Sequence, residues 1–177
     1  MATPHQTAGP FWHLIDFPAW ADLLRADGPN SGADGERIVI EGTITDGDGA
    51  LVTDAMVEIW QADSSGRYAG AFQGFGRCST NAEGRFRFTT LKPGPVPGRG
   101  NTLQAPHVQI AIFARGLLSH VTTRLYFAGE ALNETDPVLQ LVPAERRSTL
   151  IAAPTAPGTW HLDIRLRGGA ETVFLDI

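Results

Sequence analysis

Apolar and polar residues alternate with a period of two along much of this chain. The clearest run is residues 159–167, where Trp160, Leu162, Ile164 and Leu166 share one face and His161, Asp163, Arg165 and Arg167 share the other. That pattern predicts a strand with one face on a core and the other on solvent or a partner. Residues 38–45 alternate too and are rich in β-branched side chains. The Asp46-Gly47-Asp48-Gly49 that follows supplies residues tolerant of a tight turn, so a hairpin is expected to open the domain. Further strands are predicted over residues 56–61, 85–90, 107–114 and 122–127, with Gly, Pro, Asn and Asp between them. Helix is scarce. Residues 17–27 place Trp20, Leu23 and Leu24 at helical spacing with Gly28 as a stop, and residues 144–147 suit a single turn. Residues 1–13 read as an extended arm. The expected architecture is all-β, with an N-terminal arm and short helix over 1–37 and a β-sandwich domain over 38–177. The loop 92–105, dense in Gly and Pro, is expected to be irregular backbone at the surface and a candidate site loop.

Composition narrows the functions open to such a fold. With 177 residues one compact domain is expected, and 20 Gly, 12 Pro and 19% charged residues describe a turn-rich globular chain. A net charge of -5 argues against nucleic acid or an anionic membrane as partner. An anionic ligand therefore needs a local Arg. Cys78 is the one cysteine, which excludes an internal disulfide, a thiolate zinc site and an iron–sulfur cluster, and suits a reducing cytoplasm. The first twenty residues lack the apolar run of a signal peptide, and no later stretch is long enough to span a bilayer, so a soluble, unsecreted protein is expected. Asn133-Glu134-Thr135 matches a glycosylation acceptor, a match too short to carry weight outside secretion.

The run from Gly42, Asp46, Gly49, Ala55 and Val57 to Gly84, Phe86, Phe88, Leu91, Pro93 and Gly94 is similar to transthyretin-like and carboxypeptidase-regulatory β-sandwiches. Turn glycines and inward apolar residues explain it without chemistry. A longer, ordered set is more specific: Glu58-Ile59-Trp60-Gln61-Ala62-Asp63, Gly66-Arg67-Tyr68, Gly76-Arg77, Leu91-Lys92-Pro93-Gly94-Pro95 and Pro106-His107-Val108-Gln109. With Gln6-Thr7-Ala8-Gly9-Pro10-Phe11, Phe113-Ala114-Arg115-Gly116, Thr123-Arg124-Leu125-Tyr126-Phe127 and Glu171-Thr172-Val173-Phe174, it resembles the intradiol dioxygenase family over nearly the whole chain. The resemblance implies a transthyretin-like core and the cleavage of a catechol by O2 between its hydroxyl-bearing carbons. The family's non-haem ferric ion is held by two Tyr and two His, hard phenolates to offset Fe(III) and a His-x-His pair that points one way from a strand.

Only half of that set stands here. Tyr68 and His107 occupy the first tyrosine and first histidine positions, whereas Val96 and Gln109 occupy the second of each. Val96 has no donor atom and Gln109 offers a neutral amide oxygen, so no metal is expected in this chain. The family's Arg three residues before the histidine is Gln104. Within the family, alpha chains with degenerate iron positions pair with beta chains that carry the iron, and the Phe-Ala-Arg-Gly, Thr-Arg-Leu-Tyr-Phe and Glu-Thr-Val-Phe segments resemble the alpha type. The resemblance therefore implies a homologous beta subunit as partner, Fe(III) held by that partner, O2 and the carboxylate-bearing 3,4-dihydroxybenzoate as substrates, and a hetero-oligomer of several alpha–beta pairs. It also implies that Arg115, Thr7, Gly9 and Pro10 line a shared pocket, with no catalytic residue in this chain. Tyr68 and His107 then remain as packed or hydrogen-bonded relics. His5, His13, His120 and His161 have no pairing that assigns them a role. Two other readings stay open: a non-enzymatic binding module descended from a dioxygenase, and a self-sufficient metalloenzyme with a different ligand set.

Overall fold

The computed structural model describes residues 12–176, so Thr7, Gly9, Pro10 and the remainder of the expected arm before residue 12 lie outside the described residues. The chain is mostly β. Its strands are β1 (Arg37–Thr45), β2 (Met56–Gln61), β3 (Phe75–Ser79), β4 (Arg85–Leu91), β5 (Val96–Pro97), β6 (Leu103–Gln104), β7 (His107–Phe113), β8 (Val121–Phe127), β9 (Ile151–Ala156), β10 (Thr159–His161) and β11 (Ile164–Arg165). One nine-stranded sheet runs in the order β11-β1-β10-β9-β8-β7-β2-β3, with β4 joined to β1 off that path, and β5 and β6 form a separate two-stranded piece. The sheet bends over itself, because residues from β1 and β4 share one apolar cluster with residues from β2, β7 and β8. Ile40, Ile44, Phe88, Val57, Ile110, Ile112 and Leu125 in that cluster are fully enclosed. Among the described residues no helix is long and apolar enough to cross a membrane.

β7 shows how the alternation works. Val108, Ile110 and Ile112 are buried in the core, and Gln109 and Ala111 between them face outward. β2 and β8 pair antiparallel on either side, in the registers Trp60↔Gln109 and Gln109↔Arg124. A central strand thus carries the core on one face, and on the other it sets Gln109 in a row with Trp60 and Arg124.

Three expectations change. The turn after β1 forms, with the Asp46 carboxylate accepting the N–H groups of Asp48 and Ala50 and Gly49 at φ +83°. Yet it closes only a bridge between Thr45 and Leu51, and the antiparallel partner of β1 is β4 rather than the next strand. The helix expected over 17–27 is a single 3₁₀ turn, Pro18–Ala21. Asp22 bridges to Thr89, and the N–H of Leu23 donates to the Thr89 carbonyl, so pairing with β4 draws the backbone out of the helix. Leu23 and Leu24 are buried all the same. Finally, the run 159–167 is two short strands. β10 and β11 both pair parallel to β1, and Leu162 between them donates its N–H to Glu41. The loop 92–105 is irregular except for the β5–β6 ladder, and β3 and β9 were not expected at all.

The crossing from β10 to β11 depends on Gly42. A Cβ at Gly42 would lie 1.9 Å from the Leu162 carbonyl oxygen and 2.9 Å from the Phe86 ring. Two backbones meet there with no room for a side chain. Gly42→Ala is expected to destabilise the chain by at least about 2 kcal/mol in urea denaturation. Gly32→Ala, which meets nothing within 4 Å, is expected to stay within about 0.5 kcal/mol of the parent. Equal midpoints for the two variants would show that the strand crossing gives way freely.

Candidate active site

The family's four ligand positions sit on or beside the outer face of the β2–β7–β8 sheet. Two loops bring Tyr68 and Val96 to it. The first turns at Asp63, whose carboxylate accepts the backbone N–H groups of Ser65 and Arg67 and the guanidinium of Arg67. Burial disfavours charge on Asp63, but those hydrogen bonds outweigh it and hold the carboxyl below its ordinary range. The second is the Pro-Gly-Pro loop, in which Gly94 donates to the Asp63 carbonyl at 2.9 Å. At Gly66, with φ +78°, a Cβ would lie 1.8 Å from the Pro95 carbonyl oxygen. The Gly66-Arg67-Tyr68 and Lys92-Pro93-Gly94-Pro95 segments are thus two halves of one close backbone contact.

Tyr68 is 39% exposed and its ring stacks on Trp60, with centroids 6.0 Å apart and planes 12° from parallel. Its hydroxyl lies 3.4 Å from Nε2 of His107. His107 Nδ1 is 2.8 Å from the Ala105 carbonyl, an oxygen that can only accept, so Nδ1 carries the proton and Nε2 faces Tyr68 as an acceptor. Burial, and then the positive charge of Arg124, push the imidazole down to about 4. Burial raises the Tyr68 phenol, with Arg124 pulling the other way.

Behind them lies a network that sequence reasoning passed over. Arg124 donates to the Gln104 side-chain oxygen at 2.8 Å and to the Tyr126 hydroxyl at 3.4 Å, and its buried Nε has no acceptor among the described residues. Tyr126 donates to Asp136, whose enclosed carboxylate also accepts the N–H groups of Ala105, Val138 and Leu139. Asp136 fixes the turn that precedes His107, and Tyr126 lies directly opposite His107 in the ladder. Thr123-Arg124-Leu125-Tyr126-Phe127 was noted as a motif, but the alternation that points Arg124 outward is the signal that identifies it as a site residue.

This donor set does not fit ferric iron. Val96 is buried without a donor atom and Gln109, opposite Arg124, offers only a neutral amide oxygen, so Tyr68 and His107, 3.4 Å apart, are two ligands where the family uses four. Among the described residues no group of three or more His, Cys, Asp or Glu converges as a ligand set. Arg115 is elsewhere: it follows the far end of β7, which is roughly 20 Å from His107 to Phe113 at 3.3 Å per residue. It is 81% exposed and lies 3.0 Å from Asp54.

His107 gives the fold a pH dependence. Its folded pKa of about 4 lies below the ordinary 6.5, so as pH falls the unfolded chain takes up this proton first and stability is lost. The contribution is complete above about 6.5 and disappears progressively toward 4, an effect of about 3 kcal/mol. Denaturation midpoints measured across that window should fall more steeply for the parent than for His107→Asn. The same slope in both would assign the acid sensitivity to other groups.

The family model described as Dioxygenase matches residues 9–164. The chain is 40% identical to the protocatechuate 3,4-dioxygenase alpha chain of Burkholderia cepacia, over 99% of this chain and 97% of that protein. It is also 40% identical to the alpha chain of Pseudomonas putida, over 98% and 96% respectively. The Burkholderia cepacia beta chain matches at 35%, over 85% of this chain and 73% of that one. Among solved structures, the dioxygenase domain of a dioxygenase carbohydrate-binding fusion from Streptomyces sp. SirexAA-E superposes with a TM-score of 0.66 at 28% identity, covering 96% of this chain and all of that one. The chain belongs to the intradiol ring-cleavage dioxygenase family.

Proposed function

We propose that this chain is the alpha subunit of a protocatechuate 3,4-dioxygenase, a cytoplasmic hetero-oligomer built from transthyretin-like β-sandwiches. A homologous beta subunit holds the Fe(III), and the pair cleaves 3,4-dihydroxybenzoate with O2 to 3-carboxy-cis,cis-muconate. The observation that carries this reading is near full-length 40% identity to two alpha chains. The replacement of two ligand positions by Val96 and Gln109, with only Tyr68 and His107 kept, supports it, since a chain that cannot hold the metal by itself needs a partner to do this chemistry.

In the shared pocket Arg115 meets the substrate carboxylate. A guanidinium carries five N–H donors in a planar fork, more than the single Asp54 carboxylate beside it can use, and its exposure leaves it open to a partner's site. Thr7, Gly9 and Pro10 approach the same pocket from the arm, Gly9 allowing close backbone contact and Pro10 stiffening the approach.

The subunit reading is tested by expressing the chain alone and together with a beta chain that keeps two Tyr and His-x-His. Alone it should hold no stoichiometric iron and cleave no protocatechuate, and the co-purified complex should do both. Iron near one per chain in the isolated protein, with the colour of a ferric tyrosinate, would overturn the reading, as would failure of the two chains to associate.

Arg115 is tested within that complex. A charge-assisted hydrogen bond to a carboxylate contributes roughly 1.5–3 kcal/mol, so Arg115→Ala should lower kcat/KM for protocatechuate by about ten- to a hundredfold with iron content unchanged. Catechol, which lacks the carboxylate, should lose much less. Equal losses for both substrates, or loss of iron, would make Arg115 an assembly contact instead.

A further inference from the structure

We infer that Arg124 closes this chain's own iron position: its guanidinium holds a fixed positive charge between the two places where donors are missing. Restoring those donors alone therefore does not restore metal binding. The inference rests on the family's ligand positions in this chain and not on the pairing with beta, so the two readings can fail separately.

The pairing of the strands makes the case. Val96 lies opposite Gln104 in the β5–β6 ladder, and Gln109 lies opposite Arg124 in the β7–β8 ladder. The Arg124 guanidinium joins these two pairs by donating to the Gln104 side-chain oxygen at 2.8 Å. The same guanidinium nitrogen also donates to the Tyr126 hydroxyl at 3.4 Å, and the Tyr126 ring centroid is 5.8 Å from that of His107. The two surviving ligand residues, Tyr68 and His107, both feel its charge. No carboxylate bonds to it among the described residues, because Asp136 meets Tyr126 and backbone N–H groups instead. A lysine can shed its proton when a metal competes. A guanidinium cannot, so its repulsion of a trivalent cation is permanent.

Gln104 completes the arrangement. Where the resemblance places a substrate-supporting arginine, this chain has an amide whose oxygen accepts from Arg124 and whose nitrogen lies 3.4 Å from the Pro97 carbonyl. The cation is thereby tied to the β5–β6 hairpin that carries Val96. The site is more than two ligands short of an iron centre: it is organised around a different cation.

The test compares iron uptake by the full-length chain with Val96→Tyr and Gln109→His, and by the same double variant with Arg124→Gln added. Each is titrated with ferric iron against a competing chelator, and the ferric-tyrosinate absorption is recorded. Circular dichroism confirms folding. The double variant should stay below about a tenth of an iron per chain, whereas the triple variant should approach one, at least about a hundredfold tighter. If Arg124→Gln does not fold in this background, Arg124→Met keeps the apolar stem and is measured in the same way. If the double variant misfolds, Gln109→His is compared with and without Arg124 in the same titration. Near-stoichiometric iron in the double variant overturns the inference, as does a folded triple variant that binds no better than the double.

Discussion

The structure turns on the strict two-residue period of β7. Because that strand is paired on both sides, its inward positions must be apolar and its outward positions are free to carry function. Val108, Ile110 and Ile112 seal the core, while His107 and Gln109 face the opposite way with Tyr126 and Arg124 alongside. A slip of one residue in either ladder would bury the polar row and expose the core, so the packing of the core and the geometry of the site are fixed by the same constraint.

That period is also why much of the fold could be read from the sequence. The strands at 56–61, 85–90, 107–114 and 122–127 all lie close to their observed bounds, since each buries one face in a common core. Failures came where a tertiary contact overrode the local pattern. Trp20, Leu23 and Leu24 do mark a segment that packs inward, but Asp22 and Leu23 pair with Thr89, and that partner is dozens of residues away. β3 contains a glycine whose missing side chain makes room for Leu23, and β9 contains Pro154, so neither advertises itself as a strand.

The candidate site divides in a similar way. Its ligand positions were legible because short motifs carry them, and the Asp63, Gly66 and Gly94 contacts give those motifs a structural reason to persist. Arg124 was quoted within a motif and left without a role. Its importance comes from lying opposite Gln109 and reaching Gln104, and both facts depend on register across separate strands. Asp136 was hidden for the same reason: a buried carboxylate in a loop declares itself only when its four donors are in place.

The packing of the N-terminal segment against β3 bears on how such a chain keeps to itself. β3 ends the sheet path, and an open terminal strand is a template for unwanted pairing, above all with a homologous chain of nearly the same strand pattern. Here Leu23 sits over Gly76, and Arg77 reaches the Ile15 carbonyl and lies across the Trp20 ring. Trp20 also meets Phe75 edge-on. The stretch from Ile15 to Leu23 thus packs against β3 through side chains at the end of the sheet path. A strand packed in this way meets an incoming strand with side chains and a second backbone segment as well as its own ladder groups, which limits how closely another chain can approach.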